Sequence, residues 1–413
     1  MEIETTETAR CPFAQAGPEE KLGYPFSGRH TLDLEPEYAE LQQSDELHRV
    51  VMPHGGIAWL AVRYAHVRQV LADPRFSRAL ANRVDAPRLS SEVLPETSMM
   101  AMDPPEHTRI RRALAKEFTA ERVERLRGRA TSLVDGLLSE MLASGKQADL
   151  VADLAVPFPL LMICELLGIP ADGRNHFADF SAALRSRTMP RETREQVRKK
   201  FESYVGDKLL QSGAREPDGL LALLESEQSQ AHRLSTEEIV DVVIALLVGG
   251  VGSPSTLLAS GICLLLRRPD LVTALTASRD LVPAVVEELL RLVPVGVGGG
   301  FIRVASENIR VGGTTVRRGE AVVPVMTAAN QDRNAFPDPL LLDPHRPVLP
   351  RHLGLGHGVH HCIGAHLARV ELQVAIECLF TRIPTLRLAV PEQQLQWHEG
   401  LVVRELKELA VTW

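Results

Sequence analysis

The sequence lacks paired cysteines, which limits its metal chemistry. Its 413 residues contain five cysteines, at positions 11, 164, 263, 362 and 378, and no two of them are closely spaced. A structural zinc site needs four nitrogen or sulfur ligands, usually supplied by closely spaced pairs. Cys164, Cys263 and Cys378 lie in apolar, helix-like stretches and are expected to be reduced core thiols. The pattern argues against a structural zinc site and favours a cytoplasmic setting.

A basic excess, a long hydrophobic run and a secretory segment are also missing. The net charge is -7, whereas a nucleic-acid binder is expected to carry a basic footprint. The most apolar run, residues 242–251, is shorter than the roughly 20 residues that span a bilayer, and glycines interrupt it. The first residues are acidic and polar rather than signal-like. We expect a cytoplasmic protein that binds neither nucleic acid nor membrane.

Helical patterns dominate what the chain does contain. Residues 120–143 carry apolar side chains at helical spacing, and residues 236–266 form the longest apolar helix, with Ser235 as its N-cap. Further helices are predicted at 35–43, 64–71, 107–118, 150–167, 175–187, 191–211 and 280–292, and strands at 50–52, 58–62, 301–304, 309–311, 321–325, 388–390 and 401–403. These patterns predict one domain over residues 1–413, mainly α-helical with a small β region.

One cysteine stands apart from the others, in the loop Leu355-Gly-His-Gly-Val-His-His-Cys-Ile-Gly364. Its glycines let the backbone turn tightly and approach a large, flat group. A helix is predicted to begin directly after Gly364, and a helix N-terminus favours a thiolate at Cys362. A single thiolate is enough for haem iron, because the porphyrin supplies the four equatorial ligands.

This loop resembles the haem-binding signature of the cytochrome P450 family, Phe-Gly-x-Gly-x-His-x-Cys-x-Gly. The match covers Gly356, Gly358, His360, Cys362 and Gly364, and the chain departs from it where Leu355 replaces phenylalanine. The resemblance implies the triangular, mainly α cytochrome P450 fold and haem b with Cys362 as the axial thiolate ligand. With the motifs that follow, the resemblance extends over about residues 30–413, and the order of the motifs resembles that of soluble bacterial members that tailor natural products.

Two further groups of residues match the same family. Glu288 and Arg291, three residues apart on one helix, and Arg346 resemble its buried Glu-x-x-Arg and arginine trio, which implies structural support for the cysteine loop. The groups that the resemblance assigns to the haem propionates are His107, Arg111, Arg303 and His360. Four donors for two carboxylates are chemically sensible.

The resemblance also implies a small-molecule substrate and electrons from a ferredoxin and its reductase. A basic face that includes Arg109, Arg112 and Lys116 is one candidate for docking such an acidic partner. Ordinary surface charge explains the same residues almost as well.

The long apolar helix departs from the family pattern. It reads Leu-Leu-Val-Gly-Gly-Val-Gly-Ser-Pro over residues 246–254, where the family has Ala-Gly-x-Glu/Asp-Thr-Thr. In the resembled family the acid and the alcohol help to deliver protons to dioxygen. Gly252 then occupies the acid position and Ser253 the alcohol position, while Gly249 and Gly250 match the small pair. With Cys362, the residues Gly250, Gly252 and Ser253 are the catalytic candidates. Pro254 lacks an N–H for the Gly250 carbonyl, so a kink or bulge is expected there.

Three outcomes for the chemistry follow from this departure. The enzyme is a monooxygenase in which Ser253, water or substrate hydroxyls replace the missing acid; or its haem-thiolate works without dioxygen, for example by iron-nitrenoid transfer or cyclisation of an activated arylhydroxylamine; or it is a catalytically silent haem protein. A roomy substrate pocket is expected near Gly249, Val295, Gly296 and Leu401.

Overall fold

The computed structural model of the protein describes residues 22–26, 31–90, 93–185, 189–206, 219–226, 234–347, 350–398 and 403–413. Cys11 and Leu401 lie outside these residues. Within them the α-helices are α1 Glu37–Leu41, α2 Tyr64–Ala72, α3 Glu106–Ala115, α4 Ala120–Arg125, α5 Arg127–Ser144, α6 Pro157–Leu167, α7 Arg174–Arg185, α8 Arg191–Ser203, α9 Leu220–Ser226, α10 Thr236–Leu266, α11 Pro269–Ala277, α12 Val282–Leu292, α13 Met326–Ala329 and α14 Ala365–Arg382.

Within the same described residues, the strands are short and belong to three sheets. They are β1 Leu22–Gly23, β2 His48–Val51, β3 Ile57–Ala61, β4 Phe76–Ser77, β5 Gln147–Asp149, β6 Arg303–Ala305, β7 Ile309–Val311, β8 Thr314–Val316, β9 Ala321–Pro324, β10 Arg387–Leu388 and β11 Ala410–Thr412. The sheets have the orders β1-β2-β3-β9-β6-β4, β10-β11-β5 and β7-β8. The prediction of a mainly α-helical chain with a small β region is confirmed.

The helix α10 runs through the main apolar core, as its composition predicts. The Ser235 hydroxyl accepts a hydrogen bond from the Glu238 amide at 3.1 Å, and the Glu238 carboxylate accepts one from the Ser235 amide at 2.8 Å. By length and composition α10 is long and apolar enough to cross a membrane, but 61% of its most apolar window is buried inside the protein. That packing is typical of a central core helix.

A kink or bulge was expected at Pro254, and the helix has no bulge there. Residues 236–266 stay α-helical throughout, with Pro254 buried inside the helix. The Ser255 hydroxyl donates to the Val251 carbonyl at 2.6 Å, which satisfies one carbonyl close to the proline. Tertiary packing of the apolar helix therefore outweighs the local preferences of glycine and proline.

Several predicted helix bounds need correction. The helix predicted at 191–211 ends at Ser203, and residues 207–211 lie outside the described residues. The segment 120–143 is divided at Leu126 into α4 and α5, and the segment 150–167 begins with a π-helical turn, Val151–Ala155, before α6. Pro157 opens α6, where its missing N–H removes no helical hydrogen bond. The elements that frame the site, α10, α12 and α14, have the predicted positions.

Candidate functional site

The loop before α14 presents Cys362 with its backbone held in place. The Cys362 amide donates to the Leu355 carbonyl at 2.8 Å, and α14 begins three residues later. Gly358 has a φ of +71°, and a side chain there would collide with the carbonyl of Leu71. Burial raises the pKa of the Cys362 thiol, while the Gly364 amide and the Arg111 charge act to lower it. Amide and cation thus favour the anionic sulfur that a metal ligand needs.

The structure brings Glu288, Arg291 and Arg346 together in the interior. Arg291 donates to both carboxylate oxygens of Glu288 at 2.7 Å, and Arg346 Nε donates to the same oxygens at 3.1 Å. Arg291 also donates to the Asn330 carbonyl at 3.0 Å, and the Asn330 side-chain oxygen accepts from the Leu353 amide at 2.6 Å. The trio therefore connects α12 to the chain that leads into the cysteine loop.

A second carboxylate of α12, missed in the sequence, holds the other side of this loop. Glu287 accepts from Arg369 Nε of α14 at 2.6 Å and lies 3.0 Å from His352 Nε2. Burial acts to raise the pKa of Glu287, but the hydrogen bonds from His352 and Arg369 outweigh it and lower the pKa to about 2. The sequence offered one signal for this role of Glu287: it is adjacent to Glu288, so the two acids face different sides of α12.

The four residues predicted to bind the haem propionates, His107, Arg111, Arg303 and His360, lie in one cluster. The rings of His107 and His360 are 4.1 Å apart, and Arg111 donates to the carbonyl of His361. Arg303 is buried, and burial followed by the charge of Arg78 lowers its pKa to about 9. The burial of the Arg303 and Arg78 guanidinium groups beside each other is unfavourable unless an anion compensates their charges.

Arg78 is a fifth member of this cluster, which no motif in the sequence marked. It is buried, donates to the Met100 carbonyl at 3.0 Å and to the Ile302 carbonyl at 2.7 Å, and lies over the Phe301 ring at 4.7 Å. Burial lowers the pKa of Arg78 to about 10. Its guanidinium adds a further positive charge beside Arg303.

The donor set fits the prosthetic group that the sequence implies. His360 Nε2 is buried with no hydrogen-bond partner among the described residues, and burial, followed by the charges of Arg303 and His107, lowers the His360 pKa to about 2. A cluster of cations and unsatisfied donors is complementary to the two carboxylates of haem. Within the described residues, no group of three or more His, Cys, Asp or Glu side chains forms an alternative metal site.

The glycine-rich part of α10 presents an open face. Val248 is 41% exposed, Gly249 is exposed with space around its Cα, and Ser253 is half-buried. Gly250 instead faces Ile163 of α6, and a side chain there would collide with it. Packing against α6 therefore explains why residue 250 is a glycine, while its catalytic role stays a prediction.

The C-terminal segment contacts the two regions near which we expected the substrate pocket, namely residues 295–296 and the glycine-rich part of α10. The Arg404 amide donates to the Val295 carbonyl at 2.9 Å, and Gly296 pairs with Val403 in an antiparallel bridge. An ideal Cβ on Gly252 would lie 3.6 Å from Glu405 Oε1. Glu405, like the buried Thr256 of α10, was missed in the sequence because neither belongs to a local motif.

The proposed basic docking face is partly neutralised by its own neighbours. Arg109 pairs with Glu106 at 2.9 Å and with Glu238 of α10. Arg112 and Lys116 are exposed. Arg109 therefore ties α3 to the start of α10 in addition to any role at the surface.

Comparisons with known proteins agree with the site. A sequence model described as "Cytochrome P450" matches residues 180–406. The chain is 45% identical over 396 residues to nocardicin C N-oxygenase from Nocardia uniformis subsp. tsuyamanensis, covering 94% of this chain and 98% of that protein. It is 43% identical over 396 residues to mycinamicin IV hydroxylase/epoxidase from Micromonospora griseorubida, covering 95% and 99%. The solved structure of the mixed-function P450 MycG superposes with a TM-score of 0.89 at 43% identity, over 95% of this chain and 100% of that one.

Proposed function

Because the chain belongs to the cytochrome P450 family, we propose that it hydroxylates, or oxidises in a related way, a small natural-product substrate with dioxygen. Enzymes of this family carry haem on a cysteine thiolate, and in this chain that cysteine is Cys362. The relatives named as an N-oxygenase and a hydroxylase/epoxidase support an oxygenase, although their substrates differ from one another.

The cluster of donors around His360 is the observation that carries the proposal. Bound haem supplies the redox chemistry by which dioxygen is reduced and one oxygen atom enters the substrate. His107, Arg303 and Arg78 would hold its carboxylates, and the Gly364 amide favours the thiolate form of Cys362. Val248 and Gly249 are exposed on α10, and this is the face on which the substrate would bind.

The other two outcomes have less support. Chemistry without dioxygen and a silent haem protein both follow from the missing acid at Gly252, but the relatives are named as oxygenases. We propose one haem-binding domain over residues 1–413, in the cytoplasm, that receives electrons from a ferredoxin and its reductase. The acidic character of such a partner is complementary to the exposed Arg112 and Lys116.

Carbon monoxide binding tests the thiolate. The reduced protein with carbon monoxide should give the red-shifted Soret band of a thiolate-ligated haem, and Cys362→Ala should abolish it. Cys378→Ala is the matched control, because this half-buried thiol of α14 lies away from the loop. An unchanged band in Cys362→Ala would contradict the assignment of the ligand.

Turnover of a natural-product panel with ferredoxin, ferredoxin reductase and NADPH tests the reaction. We expect substrate-induced spin shifts and products that contain one atom of labelled dioxygen. Undiminished product formation under strict exclusion of dioxygen would contradict a monooxygenase.

A further inference from the structure

The open face of α10 carries hydroxyl groups but has no acid of its own. Residues 248–256 contain no Asp or Glu. Helical spacing places Gly249, Gly252, Ser253 and Thr256 on one side of the helix. The Thr256 hydroxyl is buried and has no hydrogen-bond partner among the described residues. Two hydroxyls therefore lie one turn apart on this face, and a carboxylate must come from another element.

Glu405 brings a carboxylate to this face. Its Oε1 would lie 3.6 Å from a Cβ on Gly252, which is ordinary contact distance, and the residue is only 8% exposed. The carboxylate thus lies where a side chain of residue 252 would begin. An acid at both positions would bring two like charges together, which is unfavourable. The glycine at 252 and the acid at 405 are therefore complementary.

The backbone around Glu405 fixes the direction of its side chain. The His398 amide donates to the Glu405 carbonyl at 2.8 Å, and the neighbouring Arg404 amide donates to Val295. Arg404 is itself buried and donates to both carboxylate oxygens of Glu35, at 2.5 and 2.7 Å. Arg404 therefore faces Glu35, while the next side chain, Glu405, faces Gly252 of α10.

We infer that Glu405 is the acid that delivers protons during dioxygen reduction, in place of the carboxylate that α10 lacks at Gly252. The inference rests on the proposed function. In that reaction a substrate C–H bond, dioxygen, two electrons from ferredoxin and two protons give an alcohol and water. Glu405 donates a proton toward the oxygen atom that leaves as water when the O–O bond breaks, and it regains one from solvent. Ser253 and Thr256 offer hydroxyls on the same face for the transfer.

Peroxyphenylacetic acid tests this role without the natural substrate. When the haem protein cleaves its O–O bond heterolytically the product is phenylacetic acid, whereas homolysis releases carbon dioxide and gives benzyl-derived products. Glu405→Gln keeps the shape of the side chain but lowers its acidity. We expect it to reduce the ratio of heterolysis to homolysis by about 10²-fold, the lower end for general acid catalysis. Glu408→Gln is the matched control, because Glu408 is exposed on the same segment.

A transplanted acid and an infrared band complete the test. Gly252→Glu combined with Glu405→Gln returns a carboxylate to the same space and should restore most of the ratio. The C–O stretching band of carbon monoxide on the reduced protein reports the local field without turnover. We expect the band to shift in Glu405→Gln and to stay in place in Glu408→Gln.

The outcomes separate this inference from the proposed function. An unchanged ratio and an unchanged band in Glu405→Gln would mean that Glu405 only packs against α10, and would overturn the inference. Failure of the proposed function would instead appear in the wild type, as a missing thiolate band or as turnover without dioxygen. If Glu405→Gln does not retain haem, Glu405→Asp replaces it. That variant draws the carboxylate back by one methylene and should give an intermediate ratio; a wild-type ratio would count against the inference.

Discussion

Arg291 and Glu288 form a bidentate ion pair in the interior, with side chains that are only 1% and 6% exposed. The same guanidinium donates to the carbonyls of Asn330, Pro339 and Leu341. Its donors are thus satisfied from two directions, by a helix and by the chain that leads to the cysteine loop. A pair of this kind is costly to break, because one partner is left buried and charged.

Glu288→Gln should therefore destabilise the protein strongly. Removal of one partner from a buried pair typically costs about 3–5 kcal/mol. The free energy of unfolding in urea, followed by circular dichroism, measures the loss. Glu121→Gln is the control, because Glu121 pairs with Arg125 on the surface of α4 and should change the stability little. Equal effects of the two variants would contradict a supporting role for the buried trio.

Glu287 predicts an acid-dependent contribution to stability. Its pKa in the folded protein is lowered to about 2, against about 4.3 for an ordinary glutamate. The contribution is therefore present above about pH 4.3 and is lost as the pH falls toward 2. Because the side chain is 43% exposed, solvent screening makes the effect modest. In Glu287→Gln the deficit relative to wild type should shrink between pH 5 and pH 3 in urea unfolding series; a constant deficit would contradict the ion pair.

Some of the predicted parts of the site are encoded locally. The loop around Cys362, the pair Glu288–Arg291 and the cap at Ser235 each lie within a few residues, so their spacing is visible in the sequence. The family resemblance, and not the spacing, implied the burial of the pair, its contact with Arg346 and the cluster of propionate partners. The position of α10 followed from its apolar length and its capping box. The bulge considered at Pro254 is absent, because packing of α10 on several sides outweighs the local preference of proline.

The parts that were missed depend on contacts between distant segments. Glu405 meets Gly252 only because the C-terminal segment pairs with Val295, and no pattern around either residue encodes that contact. Arg78 joins the cation cluster from an irregular segment with no periodicity. The ion pair of Glu287 with Arg369 was missed, because spacing does not tell which of two adjacent acids has a partner on another helix.

Glu371 predicts a dependence of stability on pH that is opposite to that of Glu287. It is fully buried in α14, and neither carboxylate oxygen has a hydrogen-bond partner among the described residues. Burial raises its pKa well above the ordinary value, so the folded protein retains a proton that the unfolded chain releases.

Stability is therefore lost in the wild type as the pH rises from about 4.3 toward the folded pKa, by up to about 1.4 kcal/mol per pH unit. Glu371→Gln removes this loss, and its stability relative to wild type should increase steadily from pH 5 to pH 7.5. Parallel stability curves for the two proteins would show that Glu371 is not protonated in the folded state.

Arg303 predicts how firmly haem is retained. Its guanidinium donates to the carbonyl of Phe301 at 3.0 Å and lies, buried, beside Arg78 and His360. A hydrogen bond to a charged group contributes about 1.5–3 kcal/mol, and each 1.4 kcal/mol is about tenfold in an equilibrium constant. Arg303→Met should therefore speed haem release by about ten- to a hundredfold.

Transfer of haem to excess apomyoglobin, followed at the Soret band, measures this rate directly. Arg318→Met is the matched control, because Arg318 is exposed on the turn between β8 and β9 and carries the same charge change. Loss of Arg303 also relieves the repulsion between two buried cations, so the protein without haem should be stabilised while haem binding is weakened. That opposite response of stability and retention is specific to a group that compensates an anionic cofactor. Loss of both together would indicate instead that Arg303 supports the fold.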